Sequence, residues 1–170
     1  MTDIATALGR GMHLETTEQQ AVEVAALLHD IGMGMIGEAV GASERPLSTI
    51  EQGLLKAHPV LAAEVIAEVP ALQAVAPIVY HHHEWFDGHG YVGGLAGESI
   101  PVGARILAVA DAFVSMTSDR PYRDAMTVAM ALRELRAKCG SQFDPDVVDV
   151  FERLLRDDPA LALTSARGPR

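Results

Sequence analysis

Residues 102–116 read VGARILAVADAFVSM, a run that is apolar on nearly every side and broken by one acid, Asp111. Pro101 precedes it and suits a helix start. A helix of this kind belongs inside a core rather than on a surface. On either side the periodicity stays helical. Thr16 and Thr17, with Gln19 and Gln20 three residues on, offer capping boxes for a helix through VEVAALLHD that stops at Gly32. Ser48 with Glu51 caps a short helix ending near Ala57, and Pro59 opens another through Ile66. Pro70 punctuates, and residues 72–83 predict a further helix. Thr127 to Lys138, closed by Gly140, and a segment opened by Asp144 and Pro145 complete the helical set. Residues 84–100 carry Gly88, Gly90, Gly93, Gly94 and Gly97, which predicts a long ordered loop; such loops in compact domains are usually functional. Strand signals are absent. The expectation is an all-α bundle of about six to seven helices, forming one domain over residues 1–156, with 157–170 as a disordered tail.

The chain has 170 residues, 49% hydrophobic and 21% charged, so it suits one domain and is not a wholly disordered chain. Its single cysteine, Cys139, excludes a disulfide scaffold and fits a reducing, cytoplasmic setting. No uninterrupted apolar stretch is long enough to span a membrane, and the first residues, MTDIATALGR, lack the pattern of a secretory signal. The formal charge of −10 argues against binding a nucleic-acid polymer. An anionic small substrate stays compatible with it if bound cations reverse the local field.

Six polar residues stand where packing alone would not put them. His29 and Asp30 follow the apolar run AALL at a predicted helix end, His82 and His83 end another helix, and His58 precedes Pro59. Helix C-termini carry partial negative charge and favour cations. Asp111 within an apolar helix needs compensation, by a metal or by Arg105 or Arg120. Any one of these histidines could be a hydrogen-bonded core residue, but the ordered set of four His and two carboxylates suits Fe, Mn or Zn and not Ca or Mg. A carboxylate such as Asp30 can bridge two ions in a two-metal site.

AALLHDIG (25–32), HP (58–59), HHHEWFDGHGY (81–91) and ARILAVADAFVSMTSDRPYR (104–123), in this order, resemble the HD-GYP family of bacterial cyclic-di-GMP phosphodiesterases, within the HD phosphohydrolase superfamily. The resemblance covers about Leu8 to Leu155. It implies a di-nuclear transition-metal site, Fe or Mn foremost with Zn, Ni or Co as alternatives, held by His29, Asp30, His58, His82, His83 and Asp111. His29 and Asp30 are then the catalytic pair, with Asp30 bridging the ions. Arg120, Arg123, Gly90 and Tyr91 would contact substrate, while Glu84 and Asp87 would orient the imidazoles or cap the loop. The implied reaction opens cyclic-di-GMP to linear pGpG and onward to GMP. The alternative is an inactive module that binds the dinucleotide or docks a partner. A GGDEF-type cyclase is the implied partner.

Three departures from the family pattern stand out. Met33 replaces a lysine directed at phosphate, Val92 replaces the proline of GYP, and the helix that brings an upstream ligand is missing ahead of His29. His13 does not match that ligand and reads as a surface residue. The groove left by the missing helix would be apolar and covered by a second copy of the chain, which predicts a homodimer.

Overall fold

The computed structural model describes residues 1–36, 47–119 and 124–166, with side chains to residue 163. Its helices are α1 (Thr2–Gly11), α2 (Thr16–Leu28), α3 (Met33–Ile36), α4 (Thr49–Ala67), α5 (Ala76–Tyr80), α6 (Val102–Thr117), α7 (Val128–Ala137) and α8 (Pro145–Asp157). Short 3-10 turns occupy Pro70–Leu72, Gly97–Ser99 and Pro159–Ala166. Among the described residues the only β feature is an isolated bridge between Cys139 and Phe143, so the chain is all-α.

The core is built around α6, which packs against α1, α2, α5, α7 and α8. Ala104, Ile106, Leu107, Val109, Ala110 and Phe113 have no exposed surface, which accounts for the near-continuous apolar run. Phe113 meets Phe151 of α8 edge to face, with ring centroids 4.8 Å apart. One stripe of α6 also borders open space: Ala108, Asp111, Ala112 and Ser115, at helical spacing, line a cavity.

Asp144 ties α6 to α8. Its Oδ1 accepts the Asp146 N–H at the start of α8, and its Oδ2 pairs with Arg105 of α6. The Arg105 Nε–H also donates to the Ile100 carbonyl at 2.9 Å. Arg105 is therefore committed to this brace and is not the partner of Asp111.

The structure corrects several expectations. A helix does precede the His29–Asp30 pair: α1 packs along α2 and buries Ile4, Ala5 and Leu8. The missing-helix groove from which a homodimer was inferred is thus not the premise it was, although α1 adds no residue to the histidine cluster. Helix α2 is capped not by Thr16 or Thr17 but by Glu15, whose N–H donates to the Glu18 carboxylate at 3.0 Å. Ser48 and Glu51 do form the expected capping box, but the helix they start runs unbroken to Ala67 with Pro59 inside it. The helix read over 72–83 is only Ala76–Tyr80, because Pro77 sits in its first turn, where a missing N–H is harmless. The segment expected as a frayed tail continues as the Pro159–Ala166 turn, with Ala162 buried in the core. His13 is exposed, at φ 58 in the turn between α1 and α2.

Removing the Asp144 carboxylate strands Arg105 and uncaps α8. Asp144→Ala should cost about 3–5 kcal/mol, read as a lowered urea midpoint; a change under about 1 kcal/mol would show that the brace is dispensable.

Candidate metal centre

Four segments converge on one end of the bundle: the turn after α2 with His29 and Asp30, the middle of α4 with His58, the turn after α5 with His82 and His83, and the cavity stripe of α6 with Asp111. The close approach of the first two depends on Gly32. A Cβ at that position would lie 2.2 Å from the His58 carbonyl oxygen, so only glycine lets the His29–Asp30 turn rest on α4.

Three imidazoles are oriented in the same way. His29, His58 and His82 each hold Nδ1 against the carbonyl three residues back, on Ala26 at 3.2 Å, Leu55 at 2.7 Å and Val79 at 2.6 Å. A carbonyl only accepts, so each Nδ1 carries a proton, and in the neutral ring Nε2 presents a lone pair. For His29 and His82 these carbonyls lie in the last turn of a helix, where no N–H four residues on is in place. For His58 the carbonyl is free for another reason: Pro59 should have bonded Leu55 and has no N–H to do so. The interior proline therefore makes room for the bond that aims His58.

The Nε2 atoms then meet. Those of His58 and His82 are 3.4 Å apart, and neither has a proton to share with the other. Ligand atoms of His58, His82 and His83 all lie within 4.8 Å of one another. The Asp30 carboxylate approaches from the side, with Oδ2 3.1 Å from His29 Nε2 and Oδ1 3.5 Å from His58 Nε2. Two opposed lone pairs beside a carboxylate repel unless a cation lies among them. A proton is a poor candidate, because burial and then the charge of His83 push His82 well below its ordinary range, and burial with the nearby His58 pushes His83 down to about 4. The donor set fits a nitrogen- and oxygen-loving transition-metal ion.

The remaining charges match this polarity. Burial works against the Asp30 carboxylate, but its hydrogen bond with His29 and the fields of His29, His58 and His82 hold it at about 2. Burial likewise opposes a charged His29, and Asp30, assisted by Asp111, outweighs it and raises that imidazole. Asp111 is half-buried, lines the same cavity as His82 and His83, and its field reaches His29 and Tyr91. Burial and the charges of Asp111 and Asp30 push the Tyr91 phenol up to about 12, so it remains a neutral donor.

The glycine-rich loop is folded around Glu84. This carboxylate is buried, and its Oε1 accepts the N–H groups of Gly93 at 2.6 Å and Gly94 at 2.9 Å. The imidazole that it meets is His81, with Nδ1 at 3.3 Å, and not a member of the predicted ligand set. Asp87 is exposed and accepts the His89 N–H at 3.0 Å, which makes it a loop cap and not an orienting group for the cluster. Gly90 packs on backbone, since a Cβ there would lie 2.2 Å from the Trp85 nitrogen. Tyr91 stacks on His83 with centroids 4.9 Å apart. Arg120 and Arg123 lie outside the described residues.

Sequence reasoning missed Lys56. Its Nζ sits 5.5 Å above the Tyr91 ring, two residues before His58 on α4, and brings a positive charge to the cluster's edge where Met33 supplies none. The only available signal was its spacing from His58.

An all-helical bundle with a His-Asp pair at a helix end and further histidines gathered opposite it is the arrangement of an HD-type domain. Residues 1–147 match the HD domain family, and the chain belongs to it. The cyclic di-GMP phosphodiesterase response regulator RpfG of Xanthomonas campestris is 39% identical over 155 residues, 90% of this chain and 41% of that protein. The cyclic di-GMP phosphodiesterase PA4108 of Pseudomonas aeruginosa is 34% identical over 165 residues, 96% of this chain and 40% of that one. The chain thus spans about two fifths of the length of these relatives. Among solved structures, a cyclic GMP-AMP specific phosphodiesterase of Vibrio cholerae superposes with TM-score 0.74 at 23% identity, over 98% of this chain and 45% of that one. An HDG"Y"P protein of Bdellovibrio bacteriovorus gives TM-score 0.68 at 18% identity, over 91% of this chain and 51% of that one. These likenesses share the fold.

Two outcomes follow from the geometry. Pro59→Ala returns an N–H to compete for the Leu55 carbonyl, so His58 loses its guide; metal affinity should fall about tenfold or more by competition with a chelator, without loss of helix content by circular dichroism. In the metal-free protein, the lowered histidines oppose folding once the unfolded chain takes up their protons. The urea midpoint should fall as pH drops from about 6.5 towards about 4, and His83→Asn should flatten that fall. Asp30 adds to the fall at lower pH: its stabilisation is present above its ordinary value of 3.8 and is lost as pH falls towards about 2.

Proposed function

We propose that this chain is the catalytic domain of a metal-dependent phosphodiesterase that opens cyclic di-GMP to linear pGpG and, on further cleavage, to GMP. The observation that carries the reading is the pair of opposed Nε2 lone pairs of His58 and His82 beside the Asp30 carboxylate. The curated relatives, named as cyclic di-GMP and 3'3'-cGAMP phosphodiesterases, support the substrate class.

His29, Asp30, His58, His82, His83 and Asp111 hold two ions, of Fe or Mn in the first place and Zn, Ni or Co otherwise. Such cations, when bound, neutralise charge on phosphoryl oxygens and acidify water near neutral pH. The protein contributes the rest. Asp30 is ionised at every physiological pH and spans His29 and His58, which suits it to bridge. The Tyr91 phenol keeps its proton and can donate to a phosphate oxygen. Lys56 supplies a cation at the same edge, while Arg120 and Arg123 are retained as phosphate contacts from the family resemblance. Gly90 lets the loop fold close enough to bring Tyr91 onto His83.

No helix among the described residues is long and apolar enough to cross a membrane. The phosphodiesterase reading assigns the protein to the cytoplasm, with a GGDEF-type cyclase as partner.

Elemental analysis and product separation test the proposal. Protein purified from metal-supplemented medium should carry transition metal, and Mn- or Fe(II)-loaded protein should convert cyclic di-GMP to pGpG. Asp111→Ala and Asp30→Ala should lose metal and hydrolysis together. Metal-free wild-type protein, or hydrolysis that survives Asp111→Ala, would overturn it.

A further inference from the structure

The cavity that contains His82, His83 and Asp111 extends beyond them. It has a volume of about 260 Å³, and its opposite rim is formed by Trp85, Glu134, Lys138 and Gln142. Burial separates the two ends: His82 is almost wholly enclosed, whereas Trp85, Glu134 and Lys138 reach solvent. The space is small for a whole cyclic dinucleotide, since sites for drug-sized ligands run to roughly 300–1,000 Å³. It suits one nucleotide unit, with phosphate on the floor and the base towards the rim.

The rim is held in place by backbone. The Phe86 N–H donates to the Gln142 carbonyl at 3.2 Å and the Asp87 N–H to the Ser141 carbonyl at 2.8 Å. These bonds strap the start of the glycine-rich loop to the connection between α7 and α8. Trp85 is thereby held on the same cavity as the end of α7, where Glu134 and Lys138 follow one another by one helical turn. Trp85 is 39% exposed although it adjoins the buried Glu84, so an indole surface is presented to whatever enters.

Resting on the phosphodiesterase reading, we propose that Trp85, Glu134 and Lys138 form a guanine subsite. The indole stacks on the base, as aromatic side chains do on any nucleobase. Lys138 donates to O6 and N7, the acceptor pair that cations recognise on guanine. Glu134 accepts from N1–H and the 2-amino group. Adenine turns an amino donor to Lys138 where guanine has O6, and it has no 2-amino group for Glu134. The site therefore takes the guanine of cyclic di-GMP or of a mixed guanine–adenine dinucleotide, and disfavours a purely adenine one.

Trp85 is the only tryptophan in the chain, so its fluorescence reports on this rim alone. Titration with GMP should quench it to saturation, ribose 5-phosphate should not, and AMP should bind at least about tenfold more weakly; Lys138→Met should erase most of that difference. In manganese-loaded protein, Trp85→Ala should raise KM for cyclic di-GMP by about ten- to hundredfold. Its effect on bis(p-nitrophenyl) phosphate, which carries no base, should be at least about tenfold smaller, and Trp85→Phe should recover most of the loss. Fluorescence unmoved by GMP, or a Trp85→Ala penalty equal on both substrates, would overturn the subsite while leaving the phosphodiesterase reading intact. A wild-type protein that hydrolyses neither substrate would overturn that reading, and the GMP titration would still decide the subsite.

Discussion

The bond from an imidazole Nδ1–H to the carbonyl three residues earlier governs the functional end of this molecule. It occurs at His29, His58 and His82, and each time it fixes the tautomer and turns Nε2 inward. Helix ends supply such carbonyls at no extra cost, which is why His29 and His82 sit where α2 and α5 stop. His58 lies in the middle of α4 and needs a carbonyl set free on purpose. Pro59 does that, and the bond it permits offsets part of what an interior proline costs a helix. The rest of the fold serves to bring these three places together: α6 fills the core, Gly32 lets α2 rest on α4, and Asp144 locks α6 to α8.

Polarity is arranged around the same point. Burial and neighbouring imidazoles hold His82 and His83 low, while Asp30 stays ionised beside them and raises His29, and Asp111 lines the same cavity from α6. The result is a patch of electron pairs that a cation would relieve. In a chain with a formal charge of −10, it is also the place where an anionic substrate needs a cation most. Lys56 and the neutral Tyr91 phenol lie at the edge of this patch.

Much of this was legible in the sequence because it depends on local pattern. The α6 run could hardly be read as anything but a core helix, and the glycine density of 84–100 excluded regular structure. The six candidate ligands stood out because polar residues interrupt apolar runs at helix ends. What escaped was decided between segments. Pro59 and Pro77 carry the same local signal, yet one lies inside a helix and the other starts one; only the His58 bond distinguishes them. Helix α1 was missed because its glycines and threonines are weak helix formers, and burial of Ile4, Ala5 and Leu8 overrides that weakness. Glu84 was open to two readings, orienting the imidazoles or capping the loop, and only the folded loop shows it gathering the Gly93 and Gly94 amides. Trp85 showed no pattern at all, since its place on the rim comes from hydrogen bonds to residues 141 and 142.

The loop closed by Glu84 has a consequence for how such a segment can change over generations. One oxygen of this buried carboxylate binds both Gly93 and Gly94, and Gly90 presses on the Glu84–Trp85 peptide with no room for a methyl group. Altering the acid alone strands two amides, and enlarging Gly90 alone wedges the loop open. The segment from His81 to Gly94 is therefore transferable between proteins only as a block, like a cassette.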